Sequence, residues 1–197
     1  RRHTRLRTVT GVQTCALPIS GDGVFSARVG AGAFTDAAGN LSTASNTLSR
    51  TADVTAPTIT LASAAASLVN GAITVDVTLS ESASNFDASD LTLVNATASN
   101  FTGSGAAYSF TLTPSGDGVF SARVAAGAFT DAAGNLSTAS NTLSRTADVT
   151  APTITLASAA ANLVNGAITV EVTLSESASN FDASDLTLVN ATASNFT

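Results

Sequence analysis

A repeat of 95 residues constrains this chain more than any other feature. Ser20–Thr102 reads against Ser115–Thr197 over 83 positions with three differences, Gly30/Ala125, Ser67/Asn162 and Asp76/Glu171. A solenoid would repeat every few tens of residues, because its units cannot bury a core alone. A period of 95 residues instead implies that each repeat is a whole domain. The match stops at Ser20. By the period, residues 1–19 should read like Ala96–Pro114, ATASNFTGSGAAYSFTLTP, and they read RRHTRLRTVTGVQTCALPI.

Within one repeat the apolar residues alternate with polar ones. Ile73-Thr-Val-Asp-Val-Thr-Leu79 is a half-buried strand with Ile73, Val75, Val77 and Leu79 inward, and the Asp76/Glu171 exchange falls on its outer face. Thr58–Leu61, Leu91–Leu93 and Tyr108–Thr113 alternate too, Phe120, Ala122 and Val124 form another inward set, and Ala98–Phe101 and Thr142–Arg145 are weaker candidates. Turn residues separate them at Asn70-Gly71, Gly103-Ser-Gly105, Pro114–Gly118 and Asp131–Asn135. No segment carries the helical period of about 3.6 residues; Ala64–Ala66 could seed one helical turn. Seven short strands with regular turn signals predict an all-β fold, an immunoglobulin-like seven-strand β-sandwich repeated in tandem.

Proline locates the boundaries. Pro57 and Pro152 each precede an apparent first strand, where an amide is not needed in a ladder. The complete repeat is then 53–147, with 20–52 the last strands of a preceding repeat and 148–197 the first strands of the next. Neither part closes a sandwich core, and their open strand edges predict concentration-dependent association.

Composition excludes several function classes. Residues 20–197 hold no Cys, His, Lys, Trp or Met, and four Arg face fourteen acids, so this part carries −10 against −6 for the whole chain. Such a surface repels nucleic acid and anionic membranes and favours cations. No apolar run approaches the roughly 20 residues of a spanning helix. Without His or Cys there is no general base near neutral pH and no activated nucleophile. Carboxylate pairs of the glycosidase kind would need aromatic sugar platforms, and one Tyr with no Trp does not supply them. No enzyme activity is expected.

The acids gain meaning from topology. If seven strands alternate in direction, the lead into the first strand and the second-to-third and sixth-to-seventh loops meet at one pole. Those segments carry Asp53, then Glu81, Asp87 and Asp90, then Asp131 and Asn135; their repeat equivalents are Asp36, Asn40, Asp148, Glu176, Asp182 and Asp185. Converging carboxylates repel one another unless a hard cation sits among them, and Ca²⁺ accepts six to eight such oxygens. The Gly-Asp-Gly turn of the preceding repeat, with Asp22 here and Asp117 one period on, would face the same pole, so an ion could be shared across the junction. The alternative reading is plain: Asp and Asn form turns with their own side chains, and Gly134 would take positive φ in such a turn. Phe86 and Phe129, in the same loops, would lid the core. Asn95-Ala-Thr and Asn100-Phe-Thr match glycosylation sequons that Asn/Thr-rich repeats produce by chance.

Two resemblances complete the reading. The runs LSESASNFDASDLTLVNATASNFTGSGAAYSFTLTP and DGVFSARVAAGAFTDAAGNLSTASNTLSRTADVTAPTITL resemble the bacterial Ig-like repeats of large surface adhesins. That resemblance covers residues 20–197 and implies a stalk of tandem sandwiches, often calcium-bound, that holds a distal binding domain away from the cell. It implies an extracellular or cell-surface location and neighbouring repeats as partners, with the adhesin's ligand unknown. The linker DVTAP departs from it in being short and not acid-dense. A carbohydrate- or protein-binding module, or an accessory domain of a secreted enzyme, are the alternatives. VTGVQTCALPI and RRHTR resemble the in-frame translation of a short-read sequencing adapter, so residues 1–19 are set aside as non-native, and His3 and Cys15 with them.

Overall fold

A computed structural model describes residues 11–12 and 14–197. His3 and the RRHTR stretch lie outside the described residues, and Cys15 is exposed with a free thiol. The chain divides into two compact units, 1–148 and 149–197.

The first unit begins with a hairpin, β1 (Gly23–Ala27) and β2 (Leu48–Ala52), paired antiparallel from Gly23↔Ala52 to Ala27↔Leu48. The complete repeat follows: β3 (Ile59–Ala62), β4 (Leu68–Val69), β5 (Ile73–Leu79), β6 (Leu91–Val94), β7 (Ala96–Ser104), β8 (Ala107–Pro114), β9 (Gly118–Val124) and β10 (Leu143–Ala147). They form two sheets of four strands, in the orders β3-β5-β8-β7 and β4-β10-β9-β6. Residues from both sheets share one core.

The strict alternation of Ile73–Leu79 becomes strict alternation of burial. Phe110 and Leu112 from β8, and Phe120, Ala122 and Val124 from β9, meet its inward side chains in that core. Apolar burial contributes about 25 cal/mol per Å² removed from water, so the side chains of this shared core drive the two sheets together. Tyr108 is half-buried at the margin of this core. It packs edge-on against Phe86, with ring centroids 5.1 Å apart.

The first strand departs from the simple seven-strand expectation. It is divided: β3 pairs antiparallel with β5, then the chain crosses to the other sheet, where β4 pairs parallel with β10. The strands therefore do not all alternate in direction. The crossing segment takes no helical turn at Ala64–Ala66; Arg145 on β10 instead binds its carbonyls. Its Nε donates to the Ala65 carbonyl at 3.1 Å and its Nη2 to the Ser63 carbonyl at 2.9 Å. A flat guanidinium fork holds two carbonyls that no strand partner serves.

The free edge of β3 is sealed by a side chain that imitates a strand. Asn141 accepts from the Leu61 amide through Oδ1 and donates through Nδ2 to the Leu61 carbonyl, both at 2.9 Å. Along the other edge of this sheet, β7 runs for nine residues, longer than the weak alternation of Ala98–Phe101 suggested, with an irregularity between Ser99 and Thr102. Asn95 and Asn100 sit there at φ 48° and 53°, in the left-handed region that Asn tolerates. Gly103 closes against β8: at φ 135°, an added Cβ would lie 2.4 Å from the Ala107 carbonyl oxygen.

The second unit contains a hairpin, β11 (Ile154–Ala157) with β12 (Glu171–Leu174), in the register of β3 and β5 one period earlier. Among the described residues there is no α-helix; Ala88–Asp90 and Ala183–Asp185 form single 3₁₀ turns. Among the described residues no helix is long and apolar enough to cross a membrane.

Candidate functional site

The loop after β9 builds the site from the inside. Residues 126–137 fold back on themselves, with the Ser137 amide donating to the Phe129 carbonyl and a bridge between Thr130 and Leu136. At the tip, Asp131 Oδ1 accepts from the amides of Ala133, Gly134 and Asn135 at 2.8, 2.7 and 2.9 Å, and Oδ2 accepts from Asn135 Nδ2 at 2.8 Å. Gly134 takes φ 94°, as an Asp-capped turn of this kind requires. Asp131 is buried, at 2 % exposure. Burial pushes its carboxyl up, but the Asn135 side chain and the three amides outweigh burial and hold it below 3.8.

The loop after β5 is tied to this tip. Ser84 donates its amide to the Thr130 carbonyl at 2.9 Å and its hydroxyl to the Asp131 carbonyl at 3.1 Å, while Asn85 Oδ1 accepts from the Thr130 amide at 2.9 Å. This brings Glu81 beside Asp131. The lead into β3 supplies Asp53, whose carbonyl accepts from Asn135 Nδ2 at 3.1 Å. Carboxylate oxygens of Asp53, Glu81 and Asp131 consequently lie within 4.8 Å of one another. Desolvation, then repulsion from Asp53, Asp131 and Asp22, raises the Glu81 carboxyl above 4.5. Among the described residues no hydrogen bond reaches the Glu81 carboxylate.

Four of the six residues expected at the pole thus come together: Asp53, Glu81, Asp131 and Asn135. Asp87 and Asp90 do not join them. They cap the 3₁₀ turn reciprocally, Asp87 accepting from the Ser89 amide at 2.7 Å and Asp90 from the Asp87 amide at 2.9 Å. Asp182 and Asp185 repeat that capping box in the second unit, where Glu176 also lies. Asp36 and Asn40 form the same turn as Asp131 and Asn135, on an exposed loop. Asp148 closes the first unit. Phe86 and Phe129 are more than lids: at 6 % and 0 % exposure they belong to the core, ring centroids 5.1 Å apart.

Sequence reasoning missed the contact Asp22 makes. Its Oδ1 accepts from the Val54 amide at 2.6 Å, and its Oδ2 accepts from the Thr55 hydroxyl. These bonds, the Thr55 hydroxyl first and then the Val54 amide, hold its carboxyl below 3.8. Strand register accounts for it: Gly23 pairs with Ala52, so Asp22 lies next to the chain as it leaves β2.

Two facing sheets, a first strand divided between them and a parallel β4–β10 pair define an immunoglobulin-like sandwich. The Bacterial Ig-like domain family matches residues 53–147 and again 148–197, and the chain belongs to that family. Curated proteins give no significant match.

Proposed function

We propose that this chain is a spacer in a repetitive bacterial surface or secreted adhesin, extending a distal binding domain, with its repeat junctions stiffened by calcium. The observation that carries the spacer reading is the near-identity of successive repeats. Extension is served by copies of one domain, whereas a unique binding site gains nothing from duplicating its scaffold. The reading includes no catalysis and places the protein outside the cell. The lone Tyr supports it, since Tyr108 is packed against Phe86 rather than offered as a stacking platform.

Calcium fits the donor set. Every candidate donor is a hard oxygen: the carboxylates of Asp53, Glu81 and Asp131, and the Asp53 carbonyl. Asn135 Nδ2 now lies between Asp131 and Asp53, a partial positive charge among negative ones. Turning that amide over would offer a further oxygen to an ion.

Thermal melting of the chain with calcium and with a chelator tests this. At a calcium concentration about 100 times the dissociation constant, binding to the folded state adds about 2.7 kcal/mol. For a domain of this size the melting temperature rises on the order of 10–20 °C. Glu81→Gln should abolish most of the rise. An unchanged melting temperature at millimolar calcium would remove the ion from the proposal and leave these acids as turn formers.

A further inference from the structure

We infer that Asp22 is a clasp: the turn carboxylate of one repeat locks the linker into the next, so the joint is held by side chains before any ion binds. Three successive linker residues are held between two partners, Asn135 of the repeat that follows and Asp22 of the repeat before. The Asp53 carbonyl accepts from Asn135 of the repeat that follows. The Val54 amide donates to Asp22 of the repeat before. The Thr55 amide donates to Asp53 Oδ1 at 3.1 Å, while its hydroxyl donates to Asp22. Two residues on, the Pro57 carbonyl accepts from the Thr138 amide at 2.9 Å. Such a linker differs in kind from a flexible Gly/Ser tether, whose backbone bonds only to water.

A carboxylate is suited to the task. It presents acceptors only, and bonds to an ionised acceptor are roughly twice as strong as neutral ones. Asp22 is placed by the end of the β1–β2 ladder, so it carries the orientation of that hairpin into the linker. Asn135 is placed by the Asp131 turn and carries the orientation of the complete repeat. Neither contact needs calcium, although Asp22 also adds its charge to those that bear on Glu81. In sequence, Asp117 stands to Asp148-Val149-Thr150 as Asp22 stands to Asp53-Val54-Thr55.

The test uses the whole chain in chelator, with Asp22→Ala, Asp22→Asn and Thr55→Val. Amide hydrogen exchange at Val54 reads the clasp directly. Exchange should be slow in the parent and about tenfold or more faster in Asp22→Ala, the factor expected when a charge-assisted bond is lost. Asp22→Asn, which keeps an acceptor, should recover part of the protection, and Thr55→Val should fall between. Val75 and Val77 amides should keep their rates, showing that the sandwich stays folded. Spin labels at Thr51 and Thr78, with Cys15→Ser, report the joint itself. Their distance distribution should be narrow in chelator and broaden in Asp22→Ala. An unchanged Val54 rate in Asp22→Ala overturns the clasp, as does a distribution that narrows only when calcium is added. That last outcome would leave the calcium reading standing, whereas a narrow distribution indifferent to calcium would support the clasp alone.

Discussion

Phe34 and Phe129 are the same residue of the same sequence, one period apart. Phe129 is 0 % exposed and Phe34 is 65 % exposed. Around each, the local structure is identical in kind. Strand β1 pairs with β2 in the register that β9 keeps with β10, and Asp36 caps its turn through Asn40 as Asp131 does through Asn135. What differs is the opposite sheet. Behind β9 and β10 stand β3, β5 and β8, whereas among the described residues β1 and β2 form a two-stranded sheet of their own and Phe34 stays exposed. Strand pairing and turn capping are thus properties of some 30 residues of sequence, and burial is a property of the partner layer.

Truncating both rings puts this difference to the test. Phe129→Ala should cost the complete repeat about 3–5 kcal/mol, the cost of emptying a packed aromatic site. Phe34→Ala should stay within about 0.5 kcal/mol. Urea denaturation of the whole chain, read at the main transition, separates the two. Equal losses would mean that the first hairpin is covered after all.

The arginines give the next largest contrast. Arg145 serves the Ala65 and Ser63 carbonyls, whereas Arg50, its equivalent, donates to the neighbouring Ser49 carbonyl at 2.7 Å. Arg145→Met should lose about 1.5–3 kcal/mol, the range for bonds to a charged group, and Arg50→Met almost nothing. The same denaturation series reads both.

Acidity sharpens the contrast where the two regions meet. Glu81 is held above 4.5, so the folded repeat takes up its proton more readily than the unfolded chain. Stability therefore rises as pH falls through that raised value, and the gain is complete below 4.5. Asp131 and Asp22 are held below 3.8 and act in the opposite sense. Their contribution is present above 3.8 and is lost as pH falls through their lowered values. Melting temperature against pH should show a maximum in the mildly acidic range. Glu81→Gln should remove the rise and keep the acid-side loss; a rise that survives the substitution would assign it elsewhere.

The smallest effect tests the repeat itself. Gly30 and Ala125 occupy the same turn, and a Cβ added at Gly30 meets nothing within 4 Å. Exchanging the two, as Gly30→Ala with Ala125→Gly, should move the melting transition by less than about 1 kcal/mol.

Much of this was legible in sequence because its causes are local. Alternation from Ile73 to Leu79 follows from a side-chain period of two, and Asp-Ala-Ala-Gly-Asn states its own turn. The meeting of Asp53, Glu81 and Asp131 could be expected from strand order alone. Asp87 and Asp90 were read into the same cluster because sequence places them on the same loop. Their side chains instead close a capping box across the four residues 87–90, a local and therefore cheaper arrangement.

The period, most strands, the turns and the apolar face of the alternating strands are written in the sequence. These depend on neighbours a few residues away. That the first strand divides between two sheets, that Arg145 and Asn141 complete bonds the backbone leaves open, and that Asp22 grips the next linker follow from long-range packing. Those contacts join residues about 30 to 80 positions apart. Their geometry exists only once two layers have closed on a common core, because separation along the chain says nothing of distance until then.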